Sequence, residues 1–76
     1  MDWKDRIEIN PEVLVGKPVV KGTRLAVEFV LELIATGNSE QEILANYPRL
    51  TREDILACVA YAVEIVRSEG VFRLSA

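Results

Sequence analysis

The stretch SEQEILANYPRLTREDILACVAYAVEIV, residues 39–66, decides the fold. Ser39 is followed three residues later by Glu42, the spacing of a capping box that opens a helix. Ile43, Leu44 and Tyr47 give this helix a short apolar side. Pro48 cannot continue it and biases Tyr47 away from helical geometry. Thr51 then offers a new N-cap, with Glu53 and Asp54 in the first turn, where the helix dipole favours negative charge. This second helix is expected to run to about Ser68, with Gly70 beyond its end. A short helix, a tight turn and a longer helix make a helix-turn-helix arrangement. From Ile55 to Val66 the only charged residue is Glu64, so the longer helix is apolar almost all round, whereas a surface helix normally has one apolar face.

Upstream, Val27, Val30, Leu31 and Ile34 fall at helical spacing, with Phe29 and Leu33 widening the stripe and Glu28 and Glu32 opposite. They predict a bracing helix over about 27–36, stopped by Gly37. Residues 5–26 read as short strands and turns. Arg6-Ile7-Glu8-Ile9 alternates as a half-buried strand does, and Asn10-Pro11 ends it. Gly16-Lys17-Pro18 and Lys21-Gly22-Thr23 are turn signals around Val19-Val20, and Arg24–Val27 is expected as a third short strand. The reading is a single domain over 1–76, mainly α: a three-helix bundle over 27–69 preceded by short N-terminal β-strands, with a tail over 70–76.

The 76 residues carry a formal charge of −3 and are half hydrophobic. A chain this small builds a core worth only roughly 3–5 kcal/mol, yet it has more apolar side chain than one small domain hides. Oligomerisation or a permanent partner is the simplest remedy. Ala57, Ala60 and Ala62 are small enough to admit another helix, so self-pairing of the long helix across a two-fold axis is expected. Leu56, Val59, Ala60, Val63 and Val66 are the candidate interface for a homodimer or another partner. The alternative is that the N-terminal strands fold over this face.

Several chemistries are excluded. There is no histidine, and Cys58 is the only cysteine, which rules out an internal disulfide, a Cys/His zinc site and a Ser-His or Cys-His nucleophile pair. The carboxylates show no metal-loop spacing and no acid–base pair, so no catalytic residue, metal or cofactor is expected. Gly16 to Thr23, GKPVVKGT, fails as a phosphate loop: Lys21 precedes Gly22, and another extended segment follows where a helix should start. The N-terminus has no apolar signal-peptide core and no apolar run approaches the ~20 residues that span a bilayer. A cytoplasmic, membrane-free protein is expected, with Cys58 a reduced core residue.

The cations Lys17, Lys21, Arg24, Arg49 and Arg52 are the candidate contacts with DNA or with a protein partner. Lys17, Lys21 and Arg24 stand between Glu12 and Glu28 with no acid among them. They suit phosphates or an acidic surface; lysines at a hairpin edge also deter strand-on-strand aggregation. Arg49 and Arg52 flank the start of the long helix, the part that approaches DNA in helix-turn-helix proteins. Glu53 and Asp54 beside them would repel phosphate, and the acidic balance, pI about 4.9, disfavours non-specific nucleic-acid binding.

Residues 5–44 and 47–62 together resemble the "domain of unknown function 433" family of small prokaryotic proteins. Gly16-Lys17-Pro18, Gly22-Thr23-Arg24, Tyr47-Pro48-Arg49-Leu50-Thr51 and Glu53-Asp54-Ile55 carry the resemblance. Ala26 stands where the family commonly has proline, and Val15 where it often has cysteine or histidine. The resemblance implies a homeodomain-like three-helix fold. It also implies a VapB-like antitoxin that masks a PIN-like nuclease toxin and binds its own operator DNA. The competing expectation is a free-standing dimeric helix-turn-helix regulator with no toxin.

Overall fold

The structure, a computed structural model, describes residues 2–12 and 14–68. A single helical turn at Trp3–Asp5 leads into β1 (Ile7–Ile9), which pairs antiparallel with β2 (Pro18–Val20) in the register Ile7–Val20, Glu8–Val19, Ile9–Pro18. Three α-helices follow: α1 (Val27–Ala35), α2 (Glu40–Asn46) and α3 (Arg52–Ser68). The mainly helical architecture with a small N-terminal sheet is the one the sequence predicts. The expected tail over 70–76 lies outside the described residues.

The third strand expected over Arg24–Val27 reduces to one bridge, Val19 to Ala26. The residues before it close a loop on themselves. Val20 N–H donates to the Leu25 carbonyl at 3.0 Å. The Thr23 hydroxyl donates to the Val20 carbonyl at 2.8 Å and accepts from Leu25 N–H at 3.0 Å. Side-chain bonding of this kind competes with a strand ladder. Ile9 also departs from the half-buried strand pattern. Ile7 is buried but Ile9 is largely exposed, because it pairs with Pro18 at the end of a three-residue ladder.

The core is built where the helices meet this sheet: Ile7 and Val20 against Val27 and Val30 of α1, Ile43 of α2, Leu50, and Ile55, Ala57 and Cys58 of α3. Ser39 caps α2 through the predicted reciprocal box with Glu42. Gly37, at φ +99°, ends α1 in a backbone conformation that costs glycine nothing. Thr51 caps α3 by a second reciprocal box that the Ser/Thr-x-x-Glu pattern does not announce. Its hydroxyl accepts from Asp54 N–H at 3.1 Å, and Asp54 Oδ2 accepts from Thr51 N–H at 3.0 Å. Asp54 Oδ1 meets Arg6 Nη1 at 3.1 Å, which ties the start of α3 to the strand side of the fold.

Cys58 is fully buried among these residues. Burial, with the Asp54 carboxylate adding to it, pushes its thiol up to about 12. The nucleophilic thiolate is therefore almost absent at neutral pH. Native protein should label with a maleimide only through unfolding, at least a hundredfold more slowly than protein in denaturant. Equal rates would place Cys58 at the surface.

Val15 has φ +55° and ψ +39° and is 93% exposed. The left-handed region costs a side-chain-bearing residue roughly 1–2 kcal/mol, most acutely a β-branched one. At that exposure little packing is left to offset the strain. Val15→Asn, whose side chain tolerates this region, should raise stability by about 1 kcal/mol, read as a higher urea midpoint at unchanged slope. An unchanged or lower midpoint would contradict the strained geometry.

Candidate functional site

Two turns distant in sequence meet to form a cleft of about 570 Å³, lined by Gly22, Thr23, Arg24, Leu25, Tyr47, Pro48 and Arg49. One wall is the self-closed loop after β2; the other is the turn between α2 and α3. Gly22, at φ +79°, presents its carbonyl to Arg49 Nη1 at 3.0 Å, which links the walls. Tyr47 is fixed from behind by Phe29 of α1, edge to face with ring centroids 5.4 Å apart. Arg24 is exposed and has no ion pair or side-chain hydrogen bond among the described residues. Among the described residues no carboxylate lines the cleft. In a chain of net charge −3 this is a local reversal of sign, with one guanidinium unengaged among the described residues and one that keeps donors to spare. Lys21 is exposed beside Gly22.

The structure does not bring all five candidate cations together. Arg24 and Arg49 share the cleft, and Lys21 stands beside it in sequence. Lys17 instead pairs with Glu28 of α1, Nζ to Oε1 at 3.4 Å. Arg52 pairs with Glu40 of α2, Nε to Oε2 at 3.1 Å. Both pairs are exposed and weak, so either cation could be recruited at little cost. The expected repulsion of phosphate by Asp54 is also revised: its carboxylate is turned inward onto Arg6 and Thr51. Tyr47 and the Gly22 carbonyl do not stand out in the sequence as parts of a site. Their only signal is their place in the Gly22-Thr23-Arg24 triplet and the Tyr47-Pro48 turn.

The second feature is the outer face of α3. Its inner face contributes Asp54, Ile55, Ala57 and Cys58 to the buried set. Leu56, Val59, Val63 and Val66 lie on the opposite side, 39–55% exposed, and Ala60 is half-buried at their edge. The N-terminal segment covers only a flank. Trp3 stacks edge to face on Tyr61, with centroids 4.8 Å apart, and its Nε1–H donates to Glu64 Oε1 at 2.8 Å. A shallow apolar hollow of about 390 Å³ remains on α3 between Val59, Ala62, Val63, Val66 and Arg67. Among the described residues no group of His, Cys, Asp and Glu could hold a metal, and no helix is long and apolar enough to cross a membrane.

The family described as "Protein of unknown function (DUF433)" matches residues 7–62. The Uncharacterized protein y4eO of Sinorhizobium fredii (strain NBRC 101917 / NGR234) is 36% identical over 59 residues, which are 78% of this chain and 27% of that protein. A crystal structure of a DUF433 member from Anabaena variabilis ATCC 29413 superposes with a TM-score of 0.78 at 32% identity, covering 86% of this chain and 64% of that one. This chain therefore spans about a quarter of the length of the curated relative and under two thirds of the solved one.

Proposed function

The chain belongs to the DUF433 family, and on that premise we propose that it is a non-enzymatic binding protein, the antitoxin of a prokaryotic toxin–antitoxin pair. Its task on this reading is to hold and mask a PIN-like nuclease. The observation that carries it is the cleft, in an acidic chain, with two guanidiniums and, among the described residues, no carboxylate. A metal-dependent nuclease site is built from carboxylates, and planar guanidiniums are suited to engage carboxylates bidentately. Arg24 and Arg49 would sit against those acids. Lys21, and Arg52 once released from Glu40, would extend the contact.

Operator DNA is the second ligand the site suits, because α2, the Tyr47–Thr51 turn and α3 have helix-turn-helix order. Lys21 and Arg24 would contact backbone phosphate and Arg52 the groove. Co-expression with any PIN-like nuclease that a neighbouring reading frame encodes is the test. We expect a co-purifying complex and rescue of growth. A nuclease that stays toxic and separate would overturn the antitoxin reading. Salt-sensitive binding of the upstream promoter without any nuclease complex would then favour the free-standing regulator.

A further inference from the structure

The outer face of α3 has a property that a face made for an unrelated partner does not need: it is self-complementary. Its exposed apolar residues, Leu56, Val59, Val63 and Val66, are spaced three, four, three. That spacing is the a/d seam of two heptads, and it reads the same in both directions. If a second α3 lies antiparallel, Leu56 meets Val66 of the copy and Val59 meets Val63. Ala60 and Ala62 flank the seam on either side of the Val59–Val63 centre, so small side chains border it and the helices can approach closely.

The charges at the ends of the seam repeat the symmetry. Glu53 and Arg67 occupy equivalent flanking positions two heptads apart. Both are exposed, and neither forms an ion pair among the described residues. Antiparallel pairing brings Glu53 of one chain beside Arg67 of the other, twice per dimer. A parallel arrangement would put the two copies of each charge on opposite flanks of the seam, where neither of these pairs could form. We propose that the occupant of this face is a second copy of this chain, docked antiparallel along α3 about a two-fold axis near Tyr61. Val59 and Val63 form its centre, and the Glu53–Arg67 pairs set its direction.

The inference deepens the homodimer expectation and is separable from the antitoxin reading. A dimer that captures no nuclease leaves it intact, and a monomer that neutralises one overturns it alone. The full chain is followed by sedimentation across a concentration series, as wild type, Val63→Glu, Glu53→Arg, Arg67→Glu and the double exchange Glu53→Arg/Arg67→Glu. Wild type should be dimeric and Val63→Glu monomeric, with helix content checked by circular dichroism.

Each single reversal puts two like-charged contacts in the dimer, and rim pairs are individually weak, so dissociation constants should rise by about tenfold. The double exchange should return to near the wild-type value. The charge variants are at exposed positions, so the test holds even if Val63→Glu fails to fold. Wild type that is monomeric at micromolar concentration overturns the proposal. So does a dimer indifferent to Val63→Glu, or one that the double exchange fails to restore.

Discussion

Asp54→Ala is expected to lower the unfolding free energy by about 3 kcal/mol, enough to leave the chain largely unfolded at 37 °C. The side chain is 9% exposed and serves two partners at once. It accepts from Thr51 N–H, which completes the reciprocal cap of α3, and pairs with Arg6 across 48 positions of sequence. Loss of an N-cap interaction costs about 0.5–2 kcal/mol, and breaking a buried ion pair from one side costs about 3–5 kcal/mol. The sum is discounted because Arg6, at 39% side-chain exposure, recovers hydration when its partner goes.

Against a core worth roughly 3–5 kcal/mol, a loss of this size is decisive. Arg6→Ala should cost less, about 1–2 kcal/mol, since it leaves the cap to α3 in place. Because the two residues share one contact, the double variant should be less destabilised than the sum of the singles. Urea unfolding of all four proteins measures this. An Asp54→Ala protein within 1 kcal/mol of wild type, or strict additivity, would mean that the strand side and α3 are not tied together here.

Local chemistry made the helices legible and hid the links between segments. Ser39 with Glu42, Pro48, and Gly37 act within four residues, so the ends of α1 and α2 could be read directly. The Thr51 cap was readable, but its acceptor was not: an aspartate in the third helical position reads as a dipole charge, and its second role depends on Arg6, far away in sequence. The loop at 21–25 looked like a strand because Arg24–Val27 has a strand's composition. Its hydrogen bonds link Thr23 to the Val20 carbonyl, Val20 N–H to the Leu25 carbonyl and Leu25 N–H to the Thr23 hydroxyl, a pattern that composition does not carry. The five candidate cations were all visible as residue types. Which were already engaged depended on where Glu28 and Glu40 fall on the packed helices. The outer face of α3 was legible as surplus apolar residue. Only the orientation of Ile55, Ala57 and Cys58 into the core fixed which side was surplus.

Arg24→Ala/Arg49→Ala is expected to weaken partner binding by about 10²–10⁴-fold with little change in stability. Truncating one side of a desolvated charge pair at an interface costs about 2–5 kcal/mol, and the two arginines share one cleft, so their effects should not simply add. The stability cost is small because Arg24 makes no ion pair or side-chain hydrogen bond among the described residues, and Arg49 contributes one exposed hydrogen bond to the Gly22 carbonyl. Arg49→Lys separates geometry from charge. A lysine keeps the cation but loses the planar fork, so bidentate recognition of carboxylate should suffer nearly as much as in Arg49→Ala. Pairing with phosphate as a point charge should largely survive. Titration of the nuclease and of the promoter fragment with each variant, across a salt series, distinguishes the ligands. For DNA, removing each cation that pairs with a phosphate should lower the salt slope by about one unit. Arg24→Ala/Arg49→Ala protein that binds both ligands as wild type does would remove the cleft from the site and leave the outer face of α3 as the surface for a partner.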